Sequence, residues 1–164
     1  MKKYEFTGET KRVELWNRTA TLHRIKATVE FGFVKVGELG GWIEKEENLS
    51  HEGKAWVCDD AKVWGNAKVW GNAKVCGDAK VCGDAEVFLA SHVLVMGSVG
   101  SRNDFTTFFR DKDNEITVKC GCFLGKIDKF LEKVTQTHGN NKYALVYRAA
   151  VEVAKLQIEL TERK

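Results

Sequence analysis

Three soft ligands stand near one another in the last third of the chain, Cys120, Cys122 and His138, and two thiolates with an imidazole suit zinc. The spacing speaks against that chemistry. Cys-Gly-Cys lacks the two intervening residues of the common zinc knuckle, no second pair follows, and thiols two apart on a strand simply face one side. Small buried hydrophobes are the expected role, and no metal is expected. Cys58 and Cys76 stand at a separation compatible with a disulfide, yet the five cysteines are expected as free thiols in a reducing compartment. His92 is the best placed general base, projecting outward near the end of a repeat, whereas His51 falls at an inward-type position that suits a satisfied corner histidine. No phosphate-cradling glycine loop, nucleophile elbow or paired-carboxylate signature appears, and no cofactor is expected. Irregular polar groups gather late in the chain, and loops held on a rigid scaffold are where recognition lives. The expected binding residues are therefore Arg110, His138, Asn140, Asn141, Lys142 and Arg148. Here 138–142 forms the focal loop, and Arg110 or Arg148 supplies positive charge toward a phosphate. The same loop also reads as one helix's stop followed by the next helix's cap.

The scaffold is announced by a six-residue period in AWVCDDAKVWGNAKVWGNAKVCGDAKVCGDAEVF. Ala55, Ala61, Ala67, Ala73, Ala79 and Ala85 recur in strict register, each followed two residues later by Val57, Val63, Val69, Val75, Val81 or Val87. Strand side chains alternate between faces, so Ala and Val of each triplet point the same way, inward, and the residue between them points out. Gly-Asn or Gly-Asp follows most triplets, and these residues tolerate the positive φ of a sharp corner. Each hexad is thus one short strand and one corner. Identical in-out patterns without a return loop exclude antiparallel hairpins and predict a solenoid.

This V-x-G-x-A-x pattern, over residues 49 to 99, resembles the hexapeptide-repeat, left-handed parallel β-helix family. The resemblance implies triangular coils of about 18 residues, and about three of them. On that geometry Lys62 and Lys80 share one face, Lys68 and Glu86 a second, and Trp56, Lys74 and His92 the third. Apolar ladders form at the next outward position, Trp64 with Cys82 and Trp70 with Phe88. Trp64, Trp70 and Phe88 are accordingly expected to form an interface, either between subunits, in a homo-oligomer that is a trimer or a dimer, or with the flanking units. The family includes CoA-dependent acyltransferases, so an enzyme of that kind, with His92 as base, is one implied alternative. A second resemblance lies in R-I-K-A-x-x-x-F-G-x-V-K-x-G-x-L-G-G-W-I-E-x-E-x-N-L-S, from Arg24 to Ser50, and in CGCFLGKIDKFLEKV and HGNNKYALVYRAAVEVAKL. These resemble segments of bacteriophage and prophage accessory proteins carrying the same repeats. It implies a non-enzymatic binding protein that blocks or sequesters a host defence component, either a host protein or a small nucleotide signal. A structural or virion-associated spacer is the other alternative.

The flanks complete the expected plan: a mainly β protein with an N-terminal β cap over 1–48, the β-helix over 49–100 and a C-terminal ββαα unit over 101–164. In the last, Asp111 to Glu115 reads as a hairpin turn, with Ile116, Val118 and Cys120 alternating on one face. Ile127, Phe130, Leu131 and Val134 recur at helical spacing up to Gly139, and KYALVYRAAVEVAKLQIEL follows as a longer helix capped by Asn140 or Asn141. The 164 residues are 43% hydrophobic and 30% charged, with no apolar run long enough for a membrane span. A formal charge of +3 is too mild and diffuse to advertise a nucleic-acid partner. The basic start turns polar where a signal peptide would be apolar, so a cytoplasmic location in a host bacterial cell is expected.

Overall fold

A computed structural model describes residues 2–160. It opens with a long antiparallel hairpin, β1 (Tyr4–Glu14) and β2 (Thr19–Ala27), joined along β2 by β3 (Leu39–Ile43). The hexads then give β4 (Trp56–Val57), β5 (Lys62–Val63), β6 (Lys68–Val69), β7 (Lys74–Val75), β8 (Lys80–Val81) and β9 (Glu86–Val87). Beyond them come β10 (Val93–Val99), β11 (Asp104–Arg110), β12 (Ile116–Cys120) and β13 (Phe123–Lys126), then α1 (Ile127–His138) and α2 (Lys142–Gln157).

The sheets correct the expected architecture. A left-handed parallel β-helix between two caps is not what the chain forms. It forms mixed sheets: a five-stranded sheet in the order β1-β2-β3-β5-β8, a four-stranded antiparallel sheet β10-β11-β12-β13, and two separate two-stranded ladders, β4-β7 and β6-β9. The reason is that each hexad contributes only two residues to a ladder. The long pairings belong to the flanks, where β1 alone runs for 11 residues. Nor are the flanks the expected ones. β3 pairs in parallel with β5, so the N-terminal strands share a sheet with the repeats, and the C-terminal helices pack beside four strands, not two.

The local reading of the hexads stands apart from that correction. Every Ala and Val of the six triplets is buried, and Val57 pairs with Val75, Val63 with Val81 and Val69 with Val87 in parallel register. Gly65 (φ 69°) and Gly83 (φ 62°) take the left-handed corner conformation that an L side chain rarely adopts. This core would leave carbonyls orphaned where the repeats begin, and residues of the N-terminal flank supply donors to them. The Lys3 ammonium donates to the Ala55 carbonyl at 2.7 Å, the Tyr4 hydroxyl to Leu49 at 2.6 Å, and the Asn48 amide to Ala67 at 2.9 Å. Burial lowers the Lys3 ammonium to about 8.

In the C-terminal unit Phe108, Val118, Phe130, Val134, Tyr147 and Val151 form a second core. α1 stops at Gly139, and the Asn141 side chain accepts the Ala144 N–H at 3.1 Å, capping α2. No helix among the described residues is long and apolar enough to cross a membrane.

Candidate functional site

The residues singled out by the repeat end up in different places. His92 is fully buried, not outward, because the chain leaves the hexad pattern at Ala90 and turns through a 3-10 turn, Ala90–His92. Its Nδ1 accepts the backbone N–H groups of Phe88 (3.1 Å) and Leu89 (3.2 Å), and burial followed by the nearby Arg110 charge lowers its pKa. A ring so engaged is a structural acceptor and is not presented to a substrate as a base. Of the two expected partners for Trp64, a second copy and a flanking unit, the structure supplies the flank: Trp64 lies buried with Cys82 beneath Ala20, Leu22 and Trp42 of the N-terminal sheet. Trp70 and Phe88 do stack, ring centroids 5.0 Å apart, and Arg110 lies over the Phe88 ring.

The expected binding residues do not converge on one spot. Arg110 is buried, donating to the Glu86 carbonyl at 2.8 Å and to the Asn114 side chain at 3.1 Å. Arg148 braces the loop between the helices, reaching the Gly139 carbonyl at 2.9 Å and Asn140 Oδ1 at 3.1 Å. With Asn141 as a cap, the loop's polar groups largely bond one another. Lys142, the first residue of α2, is exposed. His138 borders a narrow cavity of about 140 Å³ with Cys120, Cys122, Phe130 and Tyr147. Gly121 (φ 57°) turns the chain between the two cysteines, leaving Cys122 exposed while Cys120 Sγ accepts the Thr106 hydroxyl. Among the described residues, Cys120, Cys122 and His138 do not gather their donor atoms as a ligand set. Cys58 and Cys76, expected as free thiols, are joined by a disulfide, because β4 and β7 place their Cα atoms 4.6 Å apart.

A larger cleft, about 600 Å³, opens elsewhere. One wall is the turn of the first hairpin, Leu15 to Arg18, closed by a Leu15 N–H to Arg18 carbonyl bond. Arg18 and Glu44 meet in a two-pronged pair, and Glu44 also accepts the Gly65 N–H at 2.9 Å, so the turn is tied to a hexad corner. That pairing with Arg18 lowers the Glu44 carboxyl. The floor is the rung of Trp64 over Cys82, with Lys80 beside it. The opposite wall is the β12–β13 turn, with Lys119, Gly121, Cys122 and Leu124. Lys119 reaches this wall because Ile116 and Val118, on the other face of β12, are committed to the C-terminal core.

The electrostatics favour an anion. Burial lowers the Lys119 pKa, and the Lys80 charge lowers it further. Its ammonium donates to the Gly121 carbonyl, and among the described residues neither lysine forms an ion pair. Arg18 is already neutralised by Glu44; Glu14, which accepts the Thr19 hydroxyl at 2.8 Å, is the cleft's remaining acid. Cys82 is pushed up to about 12 by burial against the pull of both ammonium groups, so it stays a neutral thiol. At the mouth Trp16 is 94% exposed, a flat ring with nothing packed on it. Volumes of about 300–1,000 Å³ are those of small-molecule sites. Two lysines, of which Lys119 is partly desolvated, in a cleft that also includes an exposed aromatic side chain suit a phosphorylated aromatic ligand.

Sequence reasoning missed this cleft. Lys80 is one of several equivalent Ala-Lys-Val lysines, and only the fold brings it into one cleft with Lys119. Trp16 did carry a signal: a large aromatic in the polar turn Leu-Trp-Asn-Arg, where no core position exists. Comparison with known proteins finds no matching family model and no matching curated protein.

Proposed function

We propose that this chain is a non-enzymatic binding protein of the phage or prophage accessory type, which captures a small nucleotide signal of a host defence system and keeps it from its receptor. The observation that carries the reading is a cleft of about 600 Å³ lined by Lys80, Lys119 and the exposed Trp16. A small nucleotide is favoured over a host protein as partner because the polar groups lie inside a concavity. The phage assignment rests on the resemblance of Arg24 to Ser50 and of the C-terminal segments. The acyltransferase alternative loses its best base, since His92 is buried and occupied.

The test is calorimetric titration of the full chain with a panel of mono-, di- and cyclic nucleotides. Binding of at least one is expected, with quenching of tryptophan fluorescence. Lys119→Gln is expected to weaken it about tenfold, the loss of one charged hydrogen bond, while leaving the unfolding midpoint within a few degrees. Nucleotide binding that survives Lys119→Gln and Trp16→Ala unchanged would place the site elsewhere. Absence of binding across the panel would remove the nucleotide reading altogether.

A further inference from the structure

Cys58 and Cys76 sit immediately after the buried pair Val57 and Val75, on the outer side of the same parallel rung. Their half-buried disulfide forms part of the wall of a second hollow, about 510 Å³, which also includes Phe33, Lys54 and Lys74. The rung does not depend on the sulfur bond. Trp56 N–H donates to the Ala73 carbonyl at 3.1 Å and Cys58 N–H to the Val75 carbonyl at 2.9 Å. One residue on, the Asp59 carboxylate accepts the Gly77 N–H at 2.9 Å across the same two turns. Asp59 itself has φ 54°, a conformation that holds it at the corner, beside its neighbour's sulfur. The two sulfurs and an Asp59 oxygen lie within 4.8 Å of one another.

Two thiolates and a carboxylate on a fixed backbone are a zinc set lacking its fourth ligand. We propose that reduction of the Cys58–Cys76 disulfide converts this corner into a zinc site, ligated by Cys58 Sγ, Cys76 Sγ and the Asp59 carboxylate, with water at the open position. A dithiol reductant supplies the two electrons and two protons. It attacks one sulfur, is released as its own disulfide, and leaves two thiols on the chain. Zn²⁺ then displaces the two thiol protons into solvent as the two Zn–S bonds form. The backbone bonds keep the sulfurs adjacent through both steps. The remaining cysteines do not compete as a set: Cys82 is buried, and among the described residues Cys120 and Cys122 join no third ligand. The site is independent of the nucleotide cleft.

The experiment uses the full chain, oxidised and after phosphine reduction with the reductant removed, titrated with Cd²⁺ as a spectroscopic stand-in for zinc. The reduced chain is expected to bind a single Cd²⁺ with a thiolate charge-transfer band and to gain thermal stability with Zn²⁺; the oxidised chain is expected to show neither. Cys58→Ser and Cys76→Ser are each expected to abolish the band, and the Cys120→Ser, Cys122→Ser double variant to keep it. Asp59→Asn leaves the disulfide intact and is expected to weaken binding about tenfold or more. This variant decides the matter if a cysteine variant fails to fold. No band in the reduced chain, equal binding by the oxidised chain, a band that follows Cys120 and Cys122, or unchanged affinity in Asp59→Asn would each overturn the proposal.

Discussion

The two flanks of the repeats attach to them in different ways. The N-terminal flank extends the repeats' own hydrogen bonding: Trp42 pairs with Lys62 and Ile43 with Val63, and Tyr4, Ile25 and Ile43 share one core with all six Ala-x-Val triplets. The approach is so close that a Cβ on Gly41 would lie 2.7 Å from the Ala61 carbonyl oxygen. The C-terminal flank instead keeps a core of its own. In β11, alternation sends Phe108 into that core and Phe109 into the repeats. Val93 and Val95 of β10 pack on the repeats' core as well, and polar ties join them, Thr107 accepting the Lys80 N–H at 3.0 Å and Arg110 reaching the Glu86 carbonyl. A flank that shares a ladder shares its stability. A flank docked through a few side chains, with most of its core its own, can loosen separately, and the cleft lined by Lys80 and Lys119 has one wall on each.

The strongest way to break that contrast is Ile43→Asp. Ile43 is fully buried where the flank and hexads join, so an unpaired carboxylate there is expected to cost on the order of 3–5 kcal/mol. Loss should be joint: hydrogen exchange is expected to speed up together in β1 to β3 and in the hexads. Hexad amides that stay protected while β1 to β3 open would show that the N-terminal flank is docked as well.

Phe130→Ala probes the other side. Phe130 meets Phe108, Phe123 and Tyr147 edge-on or tilted in the C-terminal core, and its truncation is expected to remove about 3–5 kcal/mol. The expected readout is faster exchange confined to β10–β13, α1 and α2. If the hexad amides exchange equally fast, the two cores are one cooperative unit.

What the chain disclosed in advance follows from which contacts are local. Inward Ala and Val needed only strand alternation, and the ends of α1 and α2 needed only Gly139 and Asn141, whose effects reach a few residues. The sheet arrangement was not legible, because the partner of a two-residue strand is chosen by tertiary contacts. His92 was misplaced for a related reason: extrapolating the hexad phase past Val87 points it outward, whereas the turn at Ala90–His92 resets the phase. Trp16 carried a signal, a large aromatic in a polar turn, that the sequence reading did not use. Lys80 carried none, since nothing in its own hexad separates it from Lys62, Lys68 or Lys74.

The smallest expected effect is also the one that separates the flanks most finely, and it comes from acid. His51 and His92 lie near opposite ends of the repeats and do the same job: His51 Nδ1 accepts the Lys3 N–H at 3.1 Å, as His92 Nδ1 accepts those of Phe88 and Leu89. An Nδ1 that accepts leaves the proton of the neutral ring on Nε2, so charging the ring puts a proton where the backbone donates and breaks those bonds. Burial lowers both pKa values from 6.5, opposed at His51 by Glu46 and reinforced at His92 by Arg110. The unfolded chain therefore binds more protons than the folded one. Stability from these rings is complete above the unfolded value and is lost as pH falls below it toward the folded values. With exchange corrected for its intrinsic rate, acidification from about pH 7 to about pH 5 is expected to loosen the docked C-terminal unit first. His51 instead holds Lys3 of a flank that opens only with the whole core. Loss of protection in both regions at one pH would mean the C-terminal docking is as cooperative as the shared ladder, and stability that rises on acidification would mean neither ring is a neutral acceptor.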